Sequence, residues 1–192
     1  MLILVVGPSG AGKDTLLDAA RRTLGDDPRF RFVRREITRP AAAGGEVHIA
    51  VDFPSFAARR DAGLYALHWE AHGLGYGVPA DIVDDIAGGR IVIANVSRAV
   101  IAEAAQRFRV HVLEITAPTA VLAERLRERA RETDADIAMR LARSVALPDA
   151  IESRVILNDG SLEEGAARLI GALRAIAESA LSARTARQAP AG

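Results

Sequence analysis

Apolar positions along the chain change their period repeatedly, and the changes delimit its elements. Leu2 to Val6 (LILVV) is an unbroken apolar run ended by Gly7, the pattern of a strand buried on both faces. Leu16 to Leu24 follows with apolar residues at helical spacing. Phe30 to Ile37 interleaves Arg31, Arg34 and Arg35 with apolar residues and reads as a weaker strand. From Thr38 to Val78 the pattern is irregular, with glycines at 44, 45, 63, 73, 75 and 77 and room for a short helix over Phe53 to Asp61. A long stretch without clear period marks a functional insertion. Alternation then resumes: helices over Pro79 to Ala87, Arg98 to Phe108, Thr119 to Arg129, Asp136 to Val145 and Leu162 to Ala183, and strands over Arg90 to Val96, Val110 to Ile115 and Arg154 to Leu157. Strands alternating with helices predict an α/β protein with a parallel sheet core flanked by helices. Residues 1–182 read as a single domain, and 183–192 as a frayed tail.

Between the first strand and the first helix stands Gly7-Pro8-Ser9-Gly10-Ala11-Gly12-Lys13, a match to G-x-x-x-x-G-K. Glycines let the backbone curl so that its N–H groups face phosphate oxygens, the helix start adds a favourable dipole, and the lysine reaches the β- and γ-phosphates. The pattern therefore predicts nucleotide binding by residues Gly7 to Thr15. Where a Ser or Thr hydroxyl ordinarily meets Mg²⁺, Asp14 stands here, with Thr15 next. A carboxylate beside a triphosphate is costly unless a metal screens it, so Asp14 is expected to ligate Mg²⁺. Its other reading is an acidic residue favouring the helix start.

Composition sharpens this picture. Lys13 is the only lysine among 25 cationic residues, which 25 acidic ones balance. Without net positive charge and with 4% aromatics, the chain lacks the footprint of a nucleic-acid or membrane binder. Zero cysteines exclude disulfides, thiolate metal sites and cysteine nucleophiles. No apolar run reaches the roughly 18 residues of a membrane span, and no charged segment precedes LILVV as in a signal peptide, so the cytoplasm is expected.

The motif order GPSGAGK, ITRP with GGE, YGVP, IVIANVSRA and RLRERARE with MRLARS resembles the guanylate kinase branch of P-loop kinases. That resemblance implies a P-loop kinase fold with an acceptor-binding insertion over 38–78 and an arginine-rich lid over 129–136. The departures are informative. Apolar Leu67 aligns with the carboxylate that reads the guanine base, Ala41 to Ala43 replace a second arginine after ITRP, and the tyrosine after the GE pair is missing, with His48 nearby. A site that has lost its hydrogen-bonding partners for guanine loses discrimination for it. The segments GPSGAGKD, REITRPAAAGGEVHIA, LYALHWEAHGLGYGVP, NVSRA, RLARS and NDGSL are similar instead to the ribose 1,5-bisphosphate phosphokinase family of phosphonate catabolism.

The resemblance implies ATP as donor, Mg²⁺ as cofactor, and a small sugar phosphate as the partner whose 1-phosphate accepts the γ-phosphoryl group, giving phosphoribosyl pyrophosphate. It leaves the oligomeric state open. Donor and acceptor are both anionic, so the chemistry asks for charge neutralisation and in-line positioning rather than a side-chain nucleophile. Arg39 and Tyr76 match acceptor-phosphate positions of the guanylate kinase pattern, which Glu46 also matches as a residue that binds a sugar hydroxyl or orients an arginine; Arg35, His48 and Arg98 lie in neighbouring segments, and His68 and His72 are further candidates. Lys13, Arg129 and Arg140 are the expected catalytic residues, the latter two through the lid. Asn95 ends a strand where related kinases carry an acidic residue at the metal, which suggests that the carboxylate has moved to Asp14. Asn158-Asp159-Gly160 fits either a border to the adenine or a turn and helix cap. Two alternatives stand beside this reading: a kinase for another small phosphorylated metabolite or nucleoside monophosphate, and a non-catalytic guanylate-kinase-like interaction module.

Overall fold

A computed structural model describes residues 1–43, 46–129 and 151–188. The strands are β1 (Leu2–Val6), β2 (Phe30–Phe32), β3 (Glu36–Ile37), β4 (Ile49–Ala50), β5 (Tyr65–Ala71), β6 (Leu74–Pro79), β7 (Ile91–Asn95), β8 (Val110–Thr116) and β9 (Ser153–Leu157). The α-helices are α1 (Lys13–Leu24), α2 (Phe53–Asp61), α3 (Ile82–Ala87), α4 (Ile101–Arg107), α5 (Thr119–Arg129) and α6 (Leu162–Gln188). Five strands form an all-parallel sheet in the order β2-β7-β1-β8-β9. The expected α/β architecture with a parallel core is observed.

All five residues of β1 are buried because the sheet is covered on both sides. Ile3 and Val5 pack with Leu16, Ala20 and Leu24 of α1 and Leu169, Leu173 and Ile176 of α6. Leu2, Leu4 and Val6 face the other way, onto Ala66, Leu67 and Val78 of the second sheet, Ile82 of α3 and Ile101 of α4. Each large apolar side chain removed from water in this way contributes roughly 1.5–3 kcal/mol, so period-2 alternation along one strand anchors two layers. β1 lies at the centre of the order, with β7 reached on one side and β8 on the other. Ligands of open parallel sheets bind at the carboxyl end of such a switch point, and Gly7 begins there.

The second sheet has four strands in the order β4-β3-β6-β5. Here the structure corrects the sequence reading. Phe30 to Ile37 is two strands: Phe30–Phe32 runs parallel to β7, whereas Glu36–Ile37 pairs antiparallel with β6. Residues 33–35 carry the chain from one sheet to the other, which is what delivers Arg35 to the site. The region read as irregular contains the hairpin β5–β6, closed by His72 (φ 53°) and Gly73 (φ 70°) in the left-handed conformation that two-residue hairpin turns favour. Histidine, glutamate and glycine at alternate positions hid its period. Pro79 belongs to β6 and α3 starts at Ile82, while a 3₁₀ turn over Arg98–Val100 precedes α4. The last helix continues past Ser182 to Gln188. The helix expected over Asp136 to Val145 lies outside the described residues.

A buried polar cluster ties α2 to the second sheet. Tyr65 Oη donates to Glu36 Oε2 at 2.6 Å, and Arg59 Nε lies 2.8 Å from the same oxygen. Burial, with Glu36 beside it, pushes the Tyr65 hydroxyl up to about 12, so it remains a donor throughout the neutral range.

Candidate active site

The loop between β1 and α1 has the shape of an anion cradle. Gly10 and Gly12 adopt φ of 83° and 81°, and no side chain caps the amino end of α1. That end therefore keeps backbone N–H groups for an exogenous anion. Lys13 folds back over the loop, with Nζ 2.7 Å from the Gly7 carbonyl and 2.9 Å from that of Pro8. Burial pushes its pKa down to about 8; Asp14 opposes the shift, and Arg35 and Arg98 add to it. The ammonium is thus held largely out of water, a cost that an anionic ligand would offset.

The loop is bolted to the far edge of the sheet by Asn158, a buried residue. Its Nδ2 donates to the Ala11 carbonyl at 2.8 Å, and its backbone N–H donates to the Thr116 carbonyl at 2.7 Å. Arg125 Nη1 donates to the Asn158 carbonyl at 3.0 Å. An open cavity of about 240 Å³ lies beside the loop, lined by Gly10, Gly12, Thr15, Arg125, Asn158 and Leu162 among others. Asn158 and Gly160 border that cavity, while the cap of α6 falls to Ser161, whose Oγ accepts from the Glu164 N–H at 3.2 Å.

Across α1 from that cavity, the second sheet presents a cationic group. Arg35 is ion-paired with Glu46 and lies over the faces of Tyr76 and Trp69, 5.4 and 5.6 Å from their ring centres. The two rings are a cross-strand pair, stacked 5.2 Å apart and nearly parallel. Burial raises the Tyr76 hydroxyl above its usual range, although Arg35 and Arg39 oppose the shift, so it remains protonated. His48 is buried with both ring nitrogens 3.0 Å from backbone carbonyls, Nδ1 from Glu46 and Nε2 from Arg39; Nδ1 also lies 3.5 Å from Arg39 Nη2. Arg98 is held by an ion pair with Glu114. Asn95 Nδ2 donates to Asp14 Oδ1 at 2.7 Å, joining the end of β7 to the start of α1. One cleft is lined by Asp14, Arg35, Glu46 and Asn95.

No protein-family model matches the sequence. Among solved structures, the guanylate kinase of Anaplasma phagocytophilum aligns with a TM-score of 0.65 at 22% identity over 91% of this chain and 85% of that one. A gluconokinase from Sinorhizobium meliloti aligns with a TM-score of 0.51 at 16% identity, over 92% and 93% of the two chains. Both share the P-loop kinase fold. Ribose 1,5-bisphosphate phosphokinase PhnN of Brucella melitensis is 50% identical over 165 residues, 85% of either chain. Its counterpart in Methylobacterium radiotolerans is 49% identical over 175 residues, 91% of this chain and 97% of that one. The chain belongs to the ribose 1,5-bisphosphate phosphokinase family. The bifunctional ribose 1,5-bisphosphokinase-thymidine phosphorylase of Azorhizobium caulinodans is 49% identical over 175 residues, and the chain spans 25% of that longer protein.

In this member of the ribose 1,5-bisphosphate phosphokinase family, the fold gathers Asp14, Arg35, Glu46 and Asn95 around one cleft, with Tyr76 against Arg35. His68 and His72 are exposed on the hairpin and do not join them. Arg129 ends α5, and its side chain, like all of Arg140 and most of the expected lid, lies outside what is described. Leu67 is fully buried between the two sheets. It pairs with Val78 one step inward from the Trp69–Tyr76 pair, within the core. Sequence reasoning missed Trp69, Glu114 and the bracing role of Asn158. Trp69 carried a usable signal, since a lone tryptophan two residues from Leu67 shares its face of the strand. Glu114 carried none.

Proposed function

We infer that the protein transfers the γ-phosphoryl group of ATP to the 1-phosphate of ribose 1,5-bisphosphate, giving phosphoribosyl pyrophosphate and ADP. An oxygen of the 1-phosphate forms the new bond to phosphorus, and the bond to the β-phosphate oxygen breaks with its electron pair leaving on ADP. The observation that carries this reading is the cleft itself: the phosphate cradle on one side of α1 faces an arginine–aromatic cluster on the other, with apolar core where a base would be read. Family membership supports the same acceptor.

The roles follow from position. Backbone N–H groups from Gly10 to Thr15 and the Lys13 ammonium take the donor phosphates, and the cavity beside Arg125 and Asn158 takes the adenosine. Arg35, Arg39 and Tyr76 hold the acceptor phosphate; charge-assisted bonds of this kind are worth ~1.5–3 kcal/mol each. Glu46 orients Arg35, His48 braces the segment that carries Arg39 and Glu46, and Arg98 adds positive charge near Lys13. For Arg129 and Arg140, which the resemblance puts in an arginine-rich lid, the proposed role is to stabilise charge on the migrating group.

Among the described residues no cluster of three carboxylates or histidines could hold a metal alone. Mg²⁺ ordinarily takes one or two carboxylates plus substrate phosphates, and Asp14 beside the loop fits that donor set. Mg²⁺ bound there would neutralise charge on the donor phosphates. The bond from Asn95 to Asp14 fixes the carboxylate's orientation, which supports a transfer of the metal-binding carboxylate from the strand end to the loop. Asp14→Ser should raise the Mg²⁺ concentration needed for half-maximal turnover at least about tenfold, a loss of about 1.4 kcal/mol. An unchanged Mg²⁺ titration would remove the metal role.

The reading is tested by phosphorus NMR of the protein with Mg-ATP and ribose 1,5-bisphosphate, with GMP as control acceptor. Paired pyrophosphate doublets from the sugar product are expected. Phosphorylation of GMP alone would overturn the reading in favour of a nucleotide acceptor.

A further inference from the structure

Ribose 1,5-bisphosphate carries two phosphates, and Arg35, Arg39 and Tyr76 account for one. Resting on the function proposed above, we propose that Arg21 binds the second phosphate, the one remote from the reacting centre. The cleft that holds Asp14, Asn95, Arg35 and Glu46 continues along α1, where Asp18 and Arg21 also line it. Residues 14, 17, 18 and 21 line the same cleft because they share one helical face. At ~1.5 Å rise per residue, Arg21 stands about 10 Å from Asp14 along the axis. A five-carbon sugar with a phosphate at each end is extended enough to run along this cleft from Arg35 to Arg21, which both line it.

Arg21 is pre-positioned. Asp18 accepts a hydrogen bond from its Nη2 at 2.6 Å, and the arginine side chain is 36% exposed, so the guanidinium keeps donors for a phosphate. The carboxylates of this cleft are all engaged: Asp14 by Asn95, Asp18 by Arg21, Glu46 by Arg35. An incoming dianion therefore meets the outer donors of oriented arginines. A guanidinium at Arg21 adds affinity that a nucleoside monophosphate, with one phosphate, cannot use.

The test is steady-state kinetics of wild type and Arg21→Gln on ribose 1,5-bisphosphate, with ribose 5-phosphate and ribose 1-phosphate as competitive inhibitors. Arg21→Gln should raise KM for the bisphosphate and Ki for ribose 5-phosphate, each by about 10- to 100-fold, the range for losing one charge-assisted phosphate contact. Ki for ribose 1-phosphate should stay within about twofold, because that ligand has no second phosphate. Equal weakening of both inhibitors, or of neither, would overturn the assignment of Arg21 alone. Failure of the wild-type protein to turn over the bisphosphate would instead sink the function proposed above, and this assignment with it. Arg21→Lys should recover part of the ribose 5-phosphate affinity, as a charge contact predicts and a merely structural role does not.

Discussion

Lys13→Arg is expected to lower kcat/KM at least about a thousandfold, on the order of 4 kcal/mol of transition-state stabilisation, although the charge is kept. The ammonium is a compact charge seated 2.7 and 2.9 Å from two carbonyls of the loop itself. From that seat it can swing to phosphate oxygens without displacing backbone. A planar guanidinium is wider and spreads its donors over a fork, so it cannot occupy the same seat inside a turn of this curvature. The sequence makes the substitution pointed: every other cation in the chain is arginine, and this position alone is lysine. ADP release from Mg-ATP with ribose 1,5-bisphosphate measures the loss, and calorimetric titration with ATP separates binding from chemistry. A variant within tenfold of wild type would show that only charge matters at this position. The thermal midpoint should change little, since the lysine's bonds lie within a loop of few packed side chains.

Gly7→Ala should do the opposite, and damage stability first. Gly7 has φ of 149°, and a Cβ there would stand 2.0 Å from the Ile115 carbonyl oxygen and 3.0 Å from its carbon. Both neighbours are backbone, and β1 and β8 are hydrogen-bonded partners in register up to Val6 and Glu114, so neither can move aside cheaply. Overpacking typically costs about 1–3 kcal/mol, and this conflict belongs at or above the upper end because both neighbours are backbone. For a chain of this size that is a fall in thermal midpoint on the order of 10 °C, with loss of ATP affinity because the cradle begins at this residue. Calorimetric melting with and without ATP reads both effects. A midpoint within about 2 °C of wild type and normal ATP affinity would show that the turn tolerates a side chain.

These two positions were legible in the sequence because their chemistry is local. The strand, the glycine loop and the first helix are contiguous, so an apolar run, a spacing and a helical period suffice to place Lys13 and Asp14. The buried strands β1 and β7 were legible for the same reason, β1 being apolar throughout and β7 apolar up to Asn95. The hairpin β5–β6 was not. Its side chains answer to two different environments, core at Leu67 and Val78, site at Trp69 and Tyr76, with exposed His68 and Glu70 between, so no single period survives. The division of Phe30 to Ile37 between two sheets was hidden too, since a strand's alternation does not say which neighbour it pairs with.

By itself the sequence determined the class of fold, the phosphate loop and the segments that carry Arg35, Arg39 and Arg98. Only the tertiary structure decided which partners those arginines meet, Arg35 with Glu46 against the stacked Trp69 and Tyr76 and Arg98 with Glu114, and that Arg21 lines the same cleft as Arg35. It also brought Asn158 against Ala11, 147 residues away in the chain, and Asn95 onto Asp14, 81 residues away. The reason is physical. Local pattern fixes what a segment can bury, whereas contacts across such separations depend on strand order, register and layer packing, which many segments set together.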